Sequence, residues 1–136
     1  MIGIIGAMEE ENRILLENMA EKTEETHFHL VFTRGKIENQ EVVLVQSGIG
    51  KVNSAIATAF IIDRYRPDFV INTGSAGGLN TALHVGDVVV ADKVAYHDVD
   101  ATAFGYLVGQ VPQMLHYYSV DNKAFEKIMW EVTKVG

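Results

Sequence analysis

Three short apolar runs, each leaving through a polar segment that contains glycine, do most to limit what this chain can fold into. Ile2-Gly3-Ile4-Ile5 ends at Gly6, Val42-Val43-Leu44-Val45 leads into Ser47-Gly48-Ile49-Gly50, and Phe69-Val70-Ile71 leads into Asn72-Thr73-Gly74. Runs this short and continuous read as buried strands; the third is of the type covered on both faces. Between them, Leu15, Leu16 and Met19 recur at helical spacing, which predicts a first helix over residues 8–19. Phe28, Leu30 and Phe32 alternate and predict a strand over 27–33, with a turn over 35–39 and a return strand over 41–46 that completes a hairpin. Residues 51–65 carry Val52, Ala55, Ile56, Ala59, Phe60 and Ile62 on one stripe and predict a helix, ended by Pro67.

Val88-Val89-Val90 predicts a further strand over 87–97, residues 99–120 look irregular, and a last helix is expected over 122–133. Asp121 is its cap, and Phe125, Ile128 and Met129 form its apolar face. Strands alternating with helices imply an α/β fold, and the hairpin makes its sheet mixed rather than purely parallel. With 136 residues the chain is expected to form a single domain. Eleven basic against 18 acidic residues, a net charge of −7, argue against nucleic acid as the ligand. The absence of cysteine removes disulfides and thiolate metal sites. The first apolar run meets glutamates too early for a signal peptide, and no stretch is long enough to span a bilayer. A soluble protein of a reducing, cytoplasmic compartment is expected.

Several segments carry candidate chemistry. Glu9-Glu10-Glu11 stands at the exit of the first strand, where α/β proteins build their sites. Three adjacent acids cannot share one face, so one turned inward is a candidate general base. Asn72-Thr73-Gly74-Ser75-Ala76-Gly77-Gly78-Leu79 allows either close approach of a ligand to backbone or simply a tight strand exit. Gly50-Lys51 invites a phosphate-loop reading, but Val45 and Val52 occupy positions where that motif needs Gly and Ser or Thr. The dinucleotide fingerprint is missing too, so no cofactor is expected. His97, Asp98 and Asp100 lack a second ligand-bearing segment, and no metal site is expected from them. Phe104, Tyr106, Pro112 and Met114 make a loop too aromatic for disorder. It is a pocket wall, a subunit interface, or a cover for its own core.

In combination, Ile2 through Glu11, Ser47-Gly48-Ile49-Gly50-Lys51-Val52-Asn53, the 72–79 segment, and Tyr96-His97-Asp98 through Tyr106 with Gly109, Gln110 and Pro112 form a specific set. In this order and spacing they resemble the 5′-methylthioadenosine/S-adenosylhomocysteine nucleosidases of the nucleoside phosphorylase superfamily. The resemblance implies a nucleoside phosphorylase-like mixed sheet flanked by helices. It implies hydrolysis of the N-glycosidic bond of both substrates to adenine and a thioribose, in methionine salvage. By the same resemblance Glu11 is the base that takes the water proton and Ser75 helps position that water. Ala7, Met8 and Ile49 line the pocket and Gly77 lies under the purine. Ala101, Phe104 and Pro112 match positions that reach into the partner's site of a homodimer. Asn72 stands where phosphorolytic relatives carry an arginine, which favours water over phosphate as the nucleophile. A carboxylate is expected to be ionised at neutral pH without help; the first turn of a helix favours its charge, while burial beside Met8 and Ile49 is expected to raise the basicity of Glu11.

The resemblance covers residues 1–112 most clearly. The family's second half, which supplies the acid that protonates the purine and the grip on the ribose hydroxyls, finds no match here, so a fold truncated at its C-terminal side is expected. The alternative is a non-catalytic nucleoside-binding or dimerisation remnant of the same fold.

Overall fold

A computed structural model describes residues 1–135. The chain divides into two compact units, Met1–Gly77 and Gly78–Gly136. The first contains β1 (Ile2–Gly6), α1 (Glu9–Glu17), β2 (Ala20–His27), β3 (Leu30–Ile37), β4 (Gln40–Gln46), α2 (Lys51–Tyr65) and β5 (Phe69–Thr73). Its five strands form one mixed sheet in the order β2-β3-β4-β1-β5. β1 is parallel to β4 and β5 on either side, while β2, β3 and β4 run antiparallel in sequence.

The apolar runs explain this arrangement. Along β4 successive side chains face opposite sides of the sheet, and both sides are covered. Val43 and Val45 join Ile5, Leu30, Phe32, Ala57 and Ile61 in one buried cluster against α2. Val42 and Leu44 join Ile4 and Met19 in a second, with Leu15 and Leu16 of α1 packed against it. A strand covered on both faces has no wet side to mark with polar residues, hence its unbroken run of Val and Leu.

The structure corrects several expectations. The first helix stops at Glu17, and Ala20–His27 is a strand that the sequence pattern did not reveal. It is the charged edge of the sheet, exposed along nearly its whole length, and holds its place by backbone pairing with β3. The strand expected over 27–33 straddles the hairpin turn at Phe28 and His29, so Leu30 and Phe32 are buried while Phe28 is exposed. The next turn narrows to Glu38 and Asn39, both with positive φ. α2 spans the expected residues, but its inner face is Ala57 and Ile61 with Phe60 and Tyr65 beside them. Val52, Ile56 and Ile62 of the expected stripe point outward. Both sides of this helix are apolar, so periodicity alone does not choose between them. β5 pairs only with β1 among the described residues, and its side chains are partly exposed rather than covered on both faces.

The second unit contains β6 (Lys93–Val94), a 3-10 turn (Thr102–Phe104), β7 (Tyr118–Ser119) and α3 (Asn122–Val135). The strand expected over 87–97 is reduced to the two residues that pair with β7, because a strand forms only where a partner offers hydrogen bonds. Val88 and Val89 are exposed. α3 fits its expectation: the Asp121 side chain accepts the Ala124 N–H at 2.8 Å, and Phe125, Ile128 and Met129 are half-buried.

Candidate active site

β1 and β5 are parallel with Gly6 opposite Thr73, so the segments leaving them begin at the same end of the sheet. From β1 the chain passes through Ala7 and the extended Met8 (φ −124°, ψ 158°) into α1. Glu9 and Glu10 face solvent, as adjacent acids must; Glu11, third in the helix, turns back. Its Oε2 accepts the N–H groups of Ala7 at 2.9 Å and Met8 at 3.1 Å, the second being the N-cap amide that the helix leaves without an intrahelical partner. Its Oε1 accepts the Ser75 N–H at 2.9 Å and the Ser75 hydroxyl at 3.2 Å. One carboxylate thus ties the exit of β1 to the exit of β5.

These bonds set its acidity. The Ser75 N–H holds the Glu11 carboxyl below the usual glutamate range; partial burial opposes it, and the Met8 N–H, Ser75 hydroxyl and Ala7 N–H reinforce it. The expected rise through burial beside Met8 and Ile49 is therefore corrected. Ile49 is 73% exposed, and donated hydrogen bonds outweigh desolvation. Glu11 is ionised at neutral pH. Four donors occupy about as many lone-pair sites as a carboxylate offers. Three of them are backbone amides that cannot turn away. The Ser75 hydroxyl, at the longest distance, is the one donor of the four on a rotatable bond.

The structure brings Glu11, Ala7, Met8 and Ser75 together; Ala7 and Met8 contribute through their amides. Asn72 donates from Nδ2 to the Ile5 carbonyl at 3.3 Å, joining β5 to β1. Gly77 faces open space, with nothing within 4 Å of where a β-carbon would stand. In the second unit, Phe104 is 83% exposed and Pro112 is exposed, whereas Ala101 is buried and accepts the Phe104 N–H at 2.9 Å. Asp100 is engaged locally: its Oδ1 accepts the Thr102 hydroxyl at 2.7 Å and N–H at 3.0 Å, which hold its pKa down. Among the described residues no group of three His, Asp or Glu side chains is placed to hold a metal.

Two residues escaped the sequence reading. Gly74 is one: a β-carbon there would come within 2.5 Å of Glu11 Oε1, so the close approach that its segment permits is made by the carboxylate. Asn12 is the other, 1% exposed directly after Glu11. Its signal was present, since the stripe of Leu15, Leu16 and Met19 extended backward by three, four and seven residues lands on position 12.

Comparison with known proteins agrees with this fold. The profile of the Phosphorylase superfamily matches residues 1–131. A 5′-methylthioadenosine/S-adenosylhomocysteine nucleosidase of Staphylococcus haemolyticus is 51% identical over 134 residues, 98% of this chain and 59% of the relative. The Neisseria meningitidis enzyme of that name, solved with methylthio-immucillin-A, superposes with a TM-score of 0.95 at 44% identity, covering 98% of this chain and 58% of that one. The Colwellia psychrerythraea enzyme, solved with adenine, gives 0.96 at 44% identity over 99% and 56%. The chain thus spans a little over half the length of the relatives it matches.

Proposed function

Because the chain belongs to the phosphorylase superfamily, we propose that it carries the water-activating half of a nucleosidase site. The reaction is hydrolysis of the N-glycosidic bond of 5′-methylthioadenosine and S-adenosylhomocysteine to adenine and the thioribose, in methionine salvage in the cytoplasm. The observation that carries this reading is the Glu11 carboxylate held between two strand exits by Ala7, Met8 and Ser75. Such a reaction passes through a ribosyl oxocarbenium ion and divides its work between a base and an acid. A water seated against Glu11 Oε1 gives up a proton to it while its oxygen bonds to the anomeric carbon. The carbon–nitrogen bond to the purine breaks, and the purine departs with a proton from an acid to which we assign no residue of this chain. The Ser75 hydroxyl orients that water.

Ala7, Met8 and Ile49 then line the substrate pocket, and Gly77, with no side chain above it, leaves room for the flat purine. Both units are read as parts of one domain, since the superfamily match runs across them. The exposed Phe104 and Pro112, together with the buried Ala101, are read as the segment a homodimer partner receives.

The test is adenine release from methylthioadenosine by the chain and by Glu11→Gln. A positioned base contributes roughly 10²–10⁴-fold, and Glu11→Gln is expected to lose that much. Equal rates in the two proteins would overturn the role of Glu11. Adenine binding by calorimetry without turnover would favour a non-catalytic nucleoside-binding module.

A further inference from the structure

Asn12 is buried to 1% exposure on the inner face of α1, where the helix otherwise presents Leu15 and Leu16 to the sheet. A polar side chain there is unexpected, because its Oδ1 is buried without any hydrogen-bond partner among the described residues. An apolar side chain of similar volume would avoid the cost of that orphaned oxygen. What the amide adds is its other end. Nδ2 reaches the Gly6 carbonyl at 3.4 Å and the Val45 carbonyl at 3.5 Å, bridging the parallel pair β1 and β4 near the ends of both strands. The fit is tight: a β-carbon on Gly6 would come within 2.0 Å of Asn12 Oδ1. Glu11 and Asn12 are neighbours on one helical turn and so point in different directions. Glu11 grips Ser75 beyond β5, on one side of β1, and Asn12 grips Val45 of β4 on the other.

We propose that Asn12 is a positioning residue for Glu11: its amide fixes the first turn of α1 against the ends of β1 and β4, and thereby holds the carboxylate at Gly74 and Ser75. Gly6 is part of the same device, since any larger residue would expel the amide. The inference rests on Glu11 being the base proposed above, but its test needs no substrate. The groups bonded to the Glu11 carboxylate are uncharged, so its titration reports how well those donors are aligned.

The experiment follows the Glu11 side-chain carboxyl by NMR titration in the full chain and in Asn12→Leu, Asn12→Ala and Gly6→Ala, with urea unfolding of each. Leucine keeps the volume and removes the amide; alanine removes both. In each variant the Glu11 midpoint is expected to move up toward the ordinary glutamate value, whichever variant is the more stable. A packing role alone predicts that Asn12→Ala is destabilised while Asn12→Leu keeps the parent midpoint. That unchanged midpoint would overturn the proposal, and so would a parent-like midpoint in Gly6→Ala if the Asn12 variants do not fold. Should the chain release adenine, kcat falls in Asn12→Leu with KM within twofold. Absence of release bears on the nucleosidase reading and leaves the titration to decide this one.

Discussion

Residues 1–77 and the residues that follow them use their apolar side chains in opposite ways. In the first unit Ile5, Leu30, Phe32, Val43, Val45, Ala57 and Ile61 are buried to 2% exposure or less, sandwiched between a sheet and α2. In the second, Ala101 is the one buried apolar side chain among the described residues, while Leu79, Val85, Val88, Phe104, Leu107 and Trp130 are each more than half exposed. The strands differ in the same way. β1 and β4 pair on both edges, whereas β6 and β7 pair only with one another over two residues. A hydrophobic sequence becomes a core only where a second layer covers it. The candidate base lies in the unit where that has happened, so its geometry is supported by packed strands on both sides.

Deletions in the two units should therefore have unequal effects. Phe32→Ala removes a fully buried ring whose centroid lies 4.7 Å from that of Phe60 and should cost about 3–5 kcal/mol in urea unfolding. A loss below about 1 kcal/mol would mean that the first core is not packed as described. Gly74→Ala should cost about 1–3 kcal/mol, since its β-carbon and the Glu11 carboxylate compete for one space, and it should abolish any adenine release. Ser75→Ala should lower turnover about tenfold, because the hydroxyl that orients the water is gone, and less than Glu11→Gln does.

Acid sensitivity tests the same clamp. The folded pKa of Glu11 lies below its unfolded value, so the unfolded chain takes up the proton first as pH falls. The clamp's contribution to stability is complete at neutral pH, begins to fade near the unfolded value of about 4.3, and is gone below the folded midpoint. Ser75→Ala, which keeps the N–H and loses the hydroxyl, should shift that loss to slightly higher pH in acid-unfolding curves. The smallest effect belongs to the second unit: Phe104→Ala should change the stability of the chain by less than about 0.5 kcal/mol. A larger loss would show that its surface is covered in solution.

Helix α2, strands β1, β4 and β5, and the capped α3 were legible in the sequence because each carries an unbroken run or a clear stripe with a stop signal. β2 was not, since an edge strand exposed on both faces needs no apolar pattern and is held by β3's backbone. The strand expected around Val88-Val89-Val90 failed for the converse reason: the pattern was there and the partner was not. In the site, the position of Glu11 at a strand exit was legible. The depressed pKa was not, because it depends on four donors converging from residues as far apart as 7 and 75. Nor was the role of Asn12, which looks like an ordinary polar residue until the burial of its helix face is known.

By itself the sequence determined which segments could be buried strands, where glycine would let the chain turn, and that acids stood where a site could form. These are local matters of run length, glycine and charge. Tertiary structure alone decided which face of α2 turns inward and which hydrophobic runs find a covering layer. It also decided that four donors clamp the Glu11 carboxylate and outweigh the effect of its partial burial. Each of those depends on groups distant in the chain brought within hydrogen-bond or van der Waals range, and the energies at that range exceed any local preference.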